Sequence, residues 1–327
     1  MRLGARVRMR GLSLIELMIA MMLGLLVVGG AIGVFLSNQR TYRATESIGR
    51  IQENARVAFE LMARDVRAAG GNACARTLPI ANVLTPPAAP ADAWWSNLAN
   101  GIRGYEAGEL DASVDTADAV EVAYAAETGV TVEKEDAGVN PASIHIAGAG
   151  HDLEVGDIVL VCDYRQASMF QMSGPASGSA VVVNHNKGNI PGGPGNCTKG
   201  LGFPVKCGDA NGTPYKYGAN SKVVRVEAAR WFVADNGRGG NSLYRVRMDK
   251  GAALPREEIV EGVSDLELQY LTAGAAGYVD ASAALPWANV VAARITLTMR
   301  GTDNSGVDAQ PLQRTISHVV TLRNRIQ

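Results

Sequence analysis

Two hydrophobic patterns follow one another at the start of the chain. From Leu17 to Leu36 twenty residues pass without a charge, which at ~1.5 Å per residue makes a helix of about 30 Å, the thickness of a bilayer core. Beyond it the apolar positions thin to one stripe, Ile48, Ile51, Ala55, Phe59, Met62 and Val66, spaced three or four apart as on one face of an amphipathic helix. No proline interrupts residues 37–69. Glu46 with Arg50 and Glu60 with Arg64 are i,i+4 pairs, each adding about 0.2 to 0.5 kcal/mol to a helix. Gly70-Gly71 supplies a C-terminal stop. The pattern predicts one helix from about Leu12 to Ala69, roughly 85 Å if continuous.

After the helix the period changes. Val291, Ala293, Ile295, Leu297 and Met299 alternate with Ala292, Arg294, Thr296, Thr298 and Arg300, the period of a half-buried strand. Residues 244–248 and 266–270 alternate in the same way, and further apolar runs fall at 118–124, 157–163, 179–183, 222–233 and 315–323. Turn-rich stretches separate them, notably 76–101, with Pro79, Pro86, Pro87 and Pro90, and 184–220, with repeated Gly, Pro and Asn. The expectation is an α+β fold: a long N-terminal helix packed on an antiparallel, β-rich head with large loop insertions. With 47% hydrophobic and 19% charged residues, the head can bury a core.

Charge gives the apolar run a direction. Arg2, Arg6, Arg8 and Arg10 precede it without an acidic residue, so the positive-inside rule keeps the N-terminus cytoplasmic and sends the bulk of the chain outward. Glu16 then lies at the edge of the apolar run. A carboxylate at the centre of a membrane helix costs on the order of 2.5 to 3.5 kcal/mol, less near an interface, and marks a functional position in want of a partner; snorkelling to the headgroups is the bland alternative. A secretory signal peptide cut near Gly29-Gly30-Ala31 and a simple uncleaved anchor compete with any specialised reading. The apolar run continues past that point through Ile32, Val34, Phe35 and Leu36.

The junction Arg10-Gly11-Leu12-Ser13-Leu14-Ile15-Glu16, followed by the long apolar helix, resembles the processing signal of type IV prepilins and of type II secretion pseudopilins. The resemblance implies cleavage after Gly11 by a prepilin peptidase, methylation of the new N-terminal amine on Leu12, and an assembly role for Glu16, the fifth residue of the mature chain. A buried carboxylate and a neighbouring subunit's N-terminal ammonium neutralise each other in an apolar filament core. Residues 50–74, from Arg50-Ile51-Gln52-Glu53-Asn54-Ala55-Arg56 to Cys74, resemble the second half of that helix in PilW-type minor pilins, so the likeness covers residues 11–74 and is looser beyond. Gly33 departs from the proline that many major pilins carry there.

This resemblance implies four segments: a cleaved basic leader at 1–11, a transmembrane or filament-core half-helix at 12–36, an amphipathic half-helix at 37–70 and an extracytoplasmic head at 71–327. It implies a single-pass inner-membrane protein with a periplasmic head, a non-enzymatic minor pilin that primes or joins type IV pilus assembly and stands near the tip. Its implied partners are the peptidase, other minor pilins, the major pilin, the inner-membrane assembly platform, a tip adhesin and inner-membrane lipid. A pseudopilin of a type II secretion system is the neighbouring reading, and a membrane-anchored periplasmic enzyme or binding module a remote one. Loss of the four leader arginines takes the formal charge from −1 to −5, and no basic excess points to nucleic acid.

Cys74, Cys162, Cys197 and Cys207 form an even set without a CxxC spacing, which favours disulfides in an oxidising compartment over zinc. Three connectivities are open. The expected one joins Cys197 to Cys207 across a short loop and Cys74 to Cys162 between the helix end and a strand.

Signals for catalysis are thin, and no cofactor or metal is expected. His145, His151, His185 and His318 match no metal-binding spacing, and His318 falls on an apolar-facing position, as a core histidine would. Residues 188–195, GNIPGGPG, lack the lysine and setting of a phosphate loop and read as a flexible surface loop. Asp111, Asp115 and Asp118 do not match a calcium loop and read as a solvated acidic turn. Trp94-Trp95 is a candidate partner-binding patch, with packing over the head as the alternative; Trp231 and Trp287 call for the same caution.

Overall fold

A computed structural model describes residues 13–71, 74, 78–86, 90–135, 142–147, 150–175, 181–301, 304, 306 and 310–325. The chain divides into two units, residues 1–50 with 301–312, and residues 51–300 with 313–327. One helix, α1, runs over Leu14–Ala68, 55 residues, about 83 Å at the ordinary rise.

In the first unit the helix is bare from Leu14 to Leu36. Its apolar side chains from Leu14 to Leu36 are exposed, Leu14 at 77% and Leu25 at 74% among them, and an 18-residue window reaches a mean hydropathy of 2.5 with none of it buried. Glu46 accepts from Arg50 at 2.7 Å, as its spacing predicts.

In the second unit the same helix is covered along one stripe. Ile51, Ala55, Phe59, Met62 and Val66 are buried, with Ala58, Ala63 and Ala69 filling the gaps between them. Ile48 lies beyond this stripe at 40% exposure. Glu60 pairs with Arg56 at 3.0 Å rather than with Arg64. Arg64 lies instead 3.5 Å from Asp65, a buried carboxylate with the greater need of a cation.

The strands are β1 (Ile80–Asn82), β2 (Ile102–Tyr105), β3 (Ala119–Glu135), β4 (Ser143–Ala147), β5 (Ile158–Cys162), β6 (Ala167–Gln171), β7 (Val182–Asn184), β8 (Lys222–Asp235), β9 (Asn241–Asp249), β10 (Ala252–Ala253), β11 (Glu257–Glu261), β12 (Val263–Thr272), β13 (Val279–Asp280), β14 (Val290–Arg300) and β15 (Gln313–Thr321). Eleven of them form one sheet along the path β1-β6-β5-β8-β3-β4-β7, with β2 on β3, β9 on β8, and β10 and β11 on β9. The other four form the sheet β13-β12-β14-β15.

Length sets this layout. The long strands β3 and β8 pair with each other from Val120↔Trp231 to Thr131↔Lys222, and each has a second edge long enough to take two neighbours in succession, β2 and β4 on β3, β5 and β9 on β8. The sheet is not wholly antiparallel: the three-residue edge strand β1 runs parallel to β6, because the chain arrives there from the helix end rather than through a hairpin. Val159, Val161, Phe170 and Val223 lie in one buried cluster, and Leu160, Met169, Val224 and Trp95 in another. Both β5 and β6 are buried at every position.

The helix end is stitched into the large sheet. Gly70 adopts φ +66°, where glycine is favoured, and its N–H donates to the Ala123 carbonyl at 2.9 Å. Gly71 accepts from the Ala125 N–H at 2.9 Å, and the Asn324 amide donates to the Ala68 carbonyl at 3.2 Å. Gly101 passes so close that a Cβ there would lie 2.2 Å from the Gly70 Cα.

Two disulfides are present. Cys74 is bonded to Cys162 and Cys197 to Cys207, with Cα separations of 6.0 and 4.8 Å.

Candidate assembly interface

The first described residues form a reciprocal cap. The Ser13 N–H and hydroxyl donate to Glu16 Oε2 at 3.0 and 3.1 Å, and the Glu16 N–H donates back to Ser13 Oγ at 3.2 Å. This is a capping box, which satisfies orphan donors at a helix start. The S-x-x-E spacing of Ser13 and Glu16 carries that signal in the sequence, beside the prepilin resemblance. The bonds to the carboxylate fall on Oε2; among the described residues Oε1 accepts none. Gly11 and Leu12 lie outside the described residues. After Glu16 the helix presents only apolar side chains as far as Leu36.

A second constellation fastens the other half of α1. Asp65, 2% exposed, accepts from the Trp231 indole N–H at 3.1 Å, and the Arg245 guanidinium stands 3.8 Å away and over the Trp231 ring, 5.4 Å from its centroid. Arg245 reaches on to Glu257 at 2.9 Å. Burial raises the Asp65 carboxyl pKa above its ordinary value, against the pull of Arg245 and Arg64. The helix is thus held by a buried polar clamp as well as an apolar stripe. Nothing in the periodicity singles out Asp65; only its place between Met62 and Val66 on the buried stripe marks it.

The remaining candidates separate. Asp118 is buried, while Asp111 and Asp115 are exposed. The Asp118 carboxylate accepts the Leu268 N–H at 2.8 Å, so it ties β12 to the start of β3 and does not belong to a solvated turn. Burial pushes its pKa up to about 6, against that hydrogen bond. His318 is exposed, with its ring 4.3 Å from that of Phe59. It lies opposite the buried Ile295 but on an edge strand, where one flank stays open, so the expected core histidine is not one. His185 is the buried histidine, 1% exposed beside Phe170, with burial lowering its pKa to about 4.

Trp95 is 2% exposed and packs in the core, whereas Trp94 is half-buried beneath Arg230. A patch made by both rings is therefore ruled out. Residues 188–195 are bonded in place rather than loose: Gly188 and Asn196 exchange backbone hydrogen bonds at 2.9 Å, and the Gly195 N–H donates to the buried Gln171 side chain at 2.7 Å. Among the described residues no group of three or more His, Cys, Asp or Glu side chains is placed to hold a metal ion.

A bare apolar helix with a capped acidic start, joined to a β-rich head, is the build of a type IV pilin-like protein. Two family models match the chain: the prokaryotic N-terminal methylation motif over residues 6–32, and type IV pilus-assembly protein W over residues 230–324. No curated protein and no solved structure matches it. Over residues 230–324 the chain is thus similar to PilW-type pilus-assembly proteins, and its methylation motif and apolar helix make a single-pass anchor in the inner membrane with the head in the periplasm. The PilW match covers the end of β8 through β15, the region of Trp231, Arg245 and the four-stranded sheet. The likeness read from the sequence lies in residues 11–74 instead, of which the methylation motif covers the first part.

Proposed function

We propose that this protein is a non-enzymatic minor pilin that primes type IV pilus assembly with other minor pilins and stays near the tip. The peptidase cuts after Gly11, the Leu12 amine is methylated, and Glu16 neutralises the N-terminal ammonium of a neighbouring subunit in the filament core. One observation carries this reading: Glu16 stands at the start of an apolar helix exposed as far as Leu36, its Oε2 accepts from Ser13, and its Oε1 accepts no hydrogen bond among the described residues. A carboxylate on such a helix is costly in lipid or in an apolar filament unless a cation meets it. The PilW match supports the pilus over the type II secretion system, which shares the leader and helix chemistry.

The test is Glu16→Ala in the producing cell. The variant inserts in the membrane and loses its leader, yet falls at least about tenfold in sheared pili, the equivalent of a ~1.4 kcal/mol loss at the packing step. Wild-type incorporation of Glu16→Ala would overturn the assignment.

A further inference from the structure

The four-stranded sheet ends in an open edge. β15 is bonded to β14 through nine residue pairs in unbroken register, from Ala292↔Thr321 to Arg300↔Gln313, and to no other strand among the described residues. Its sequence, QRTISHVVT, has no proline and no lysine, and the pairing carries no bulge. These are the devices that ordinarily blunt an edge. The outward backbone N–H and C=O groups of β15 are accordingly set to pair with another strand.

Beside this edge runs a groove of about 510 Å³ between β15 and the flank of α1. Its floor is the buried Ala55, Phe59, Ala63 and Val320, lined further by the half-buried Ile316 and the exposed His318, and Val319 on the strand's other face is 54% exposed. Its charge is one-sided. Arg56 is matched by Glu60 at 3.0 Å, but Arg67 and Arg314, both exposed and both lining the groove, have no carboxylate within 4 Å among the described residues.

We propose that β15 and this groove form a docking site for an extended strand of a partner polypeptide, with apolar side chains at alternate positions and carboxylates that meet Arg67 and Arg314. A strand laid beside β15 continues the sheet, pairs its free backbone groups and sends every second side chain into the groove. A helix in the same groove would cover the apolar surface but leave those backbone groups unpaired. The inference does not rest on leader cleavage or on Glu16.

The full chain in detergent is mixed with the capped peptide Asp-Thr-Val-Thr-Val-Thr-Val-Thr-Asp, or with its counterpart carrying Lys for both Asp residues, and backbone hydrogen exchange is followed. At ten times its Kd the acidic peptide should slow exchange of the 313–321 amides about tenfold, and the lysine peptide should not. The double variant R67E/R314E changes only exposed side chains, so the fold is kept; it should lose the effect with the acidic peptide and gain it with the lysine peptide. No added protection over 313–321 with either peptide would overturn the proposal. Protection confined to the helix flank, or equal binding by the charge-reversed variant, would overturn it as well.

Discussion

Asp65 and Asp118 are single carboxylates that hold elements together from inside the head, and each makes a separate prediction. Removing Asp65 strands the Trp231 indole and takes from Arg245 its buried carboxylate, Glu257 remaining on the outer side. Asp65→Ala should therefore destabilise the head by about 2 to 4 kcal/mol, the range for breaking a buried, hydrogen-bonded charge pair, read from urea unfolding. Asp118 has its pKa raised to about 6 by burial, while the unfolded carboxyl titrates near 3.9. The folded state then holds the extra proton between these values, so this residue's contribution is full below about pH 4 and is lost as pH rises through about 6. Asp118→Asn keeps an acceptor for the Leu268 N–H and should flatten that part of the fall in stability between about pH 4 and 6. An unchanged slope in unfolding midpoints across that window would contradict the assignment. Asp118 gives no sign of burial in the sequence until the strand beside it is placed, and Asp65 shows only its place between Met62 and Val66 on the helix stripe.

At the scale of elements, the sequence was readable where one face is wet. β14, β12 and β9 alternate because one side of each is partly exposed, and α1 shows its 3.6-residue period over the half that lies on the head. β6 was hidden because it is buried on both faces and its AlaSerMetPheGln sequence has neither alternation nor an aliphatic run. β11 was hidden for the opposite reason, its Glu-rich sequence reading as loop. The turn-rich reading of 184–220 stands in that no strand begins there before Lys222, yet its middle is fixed by the bonds of Gly195 and Asn196 to Gln171 and by the Cys197–Cys207 bond. The two disulfides should differ in worth. Cys74–Cys162 spans 88 residues and Cys197–Cys207 spans 10, so the chain-entropy relation gives about 4.6 and about 2.7 kcal/mol respectively. Replacing the Cys74 pair by serines should lower the unfolding free energy by roughly 2 kcal/mol more than replacing the Cys197 pair; equal losses in denaturant titrations would contradict that order.

For the molecule as a whole, the anchor was the most legible part and the head's attachment the least. Twenty uncharged residues behind four arginines specify an anchor and its direction from composition alone, whereas the joint at Gly70, Gly101 and Ala123 needs three distant segments brought together. The central claim is that this chain is a pilin, processed just ahead of the capped helix start. The measurement that tests it most directly is intact mass and N-terminal peptide mapping of the chain recovered from membranes and from sheared pili. The mature chain should begin at Leu12 with a methylated amine. A terminus left at Met1, or one near Ala31, would contradict it.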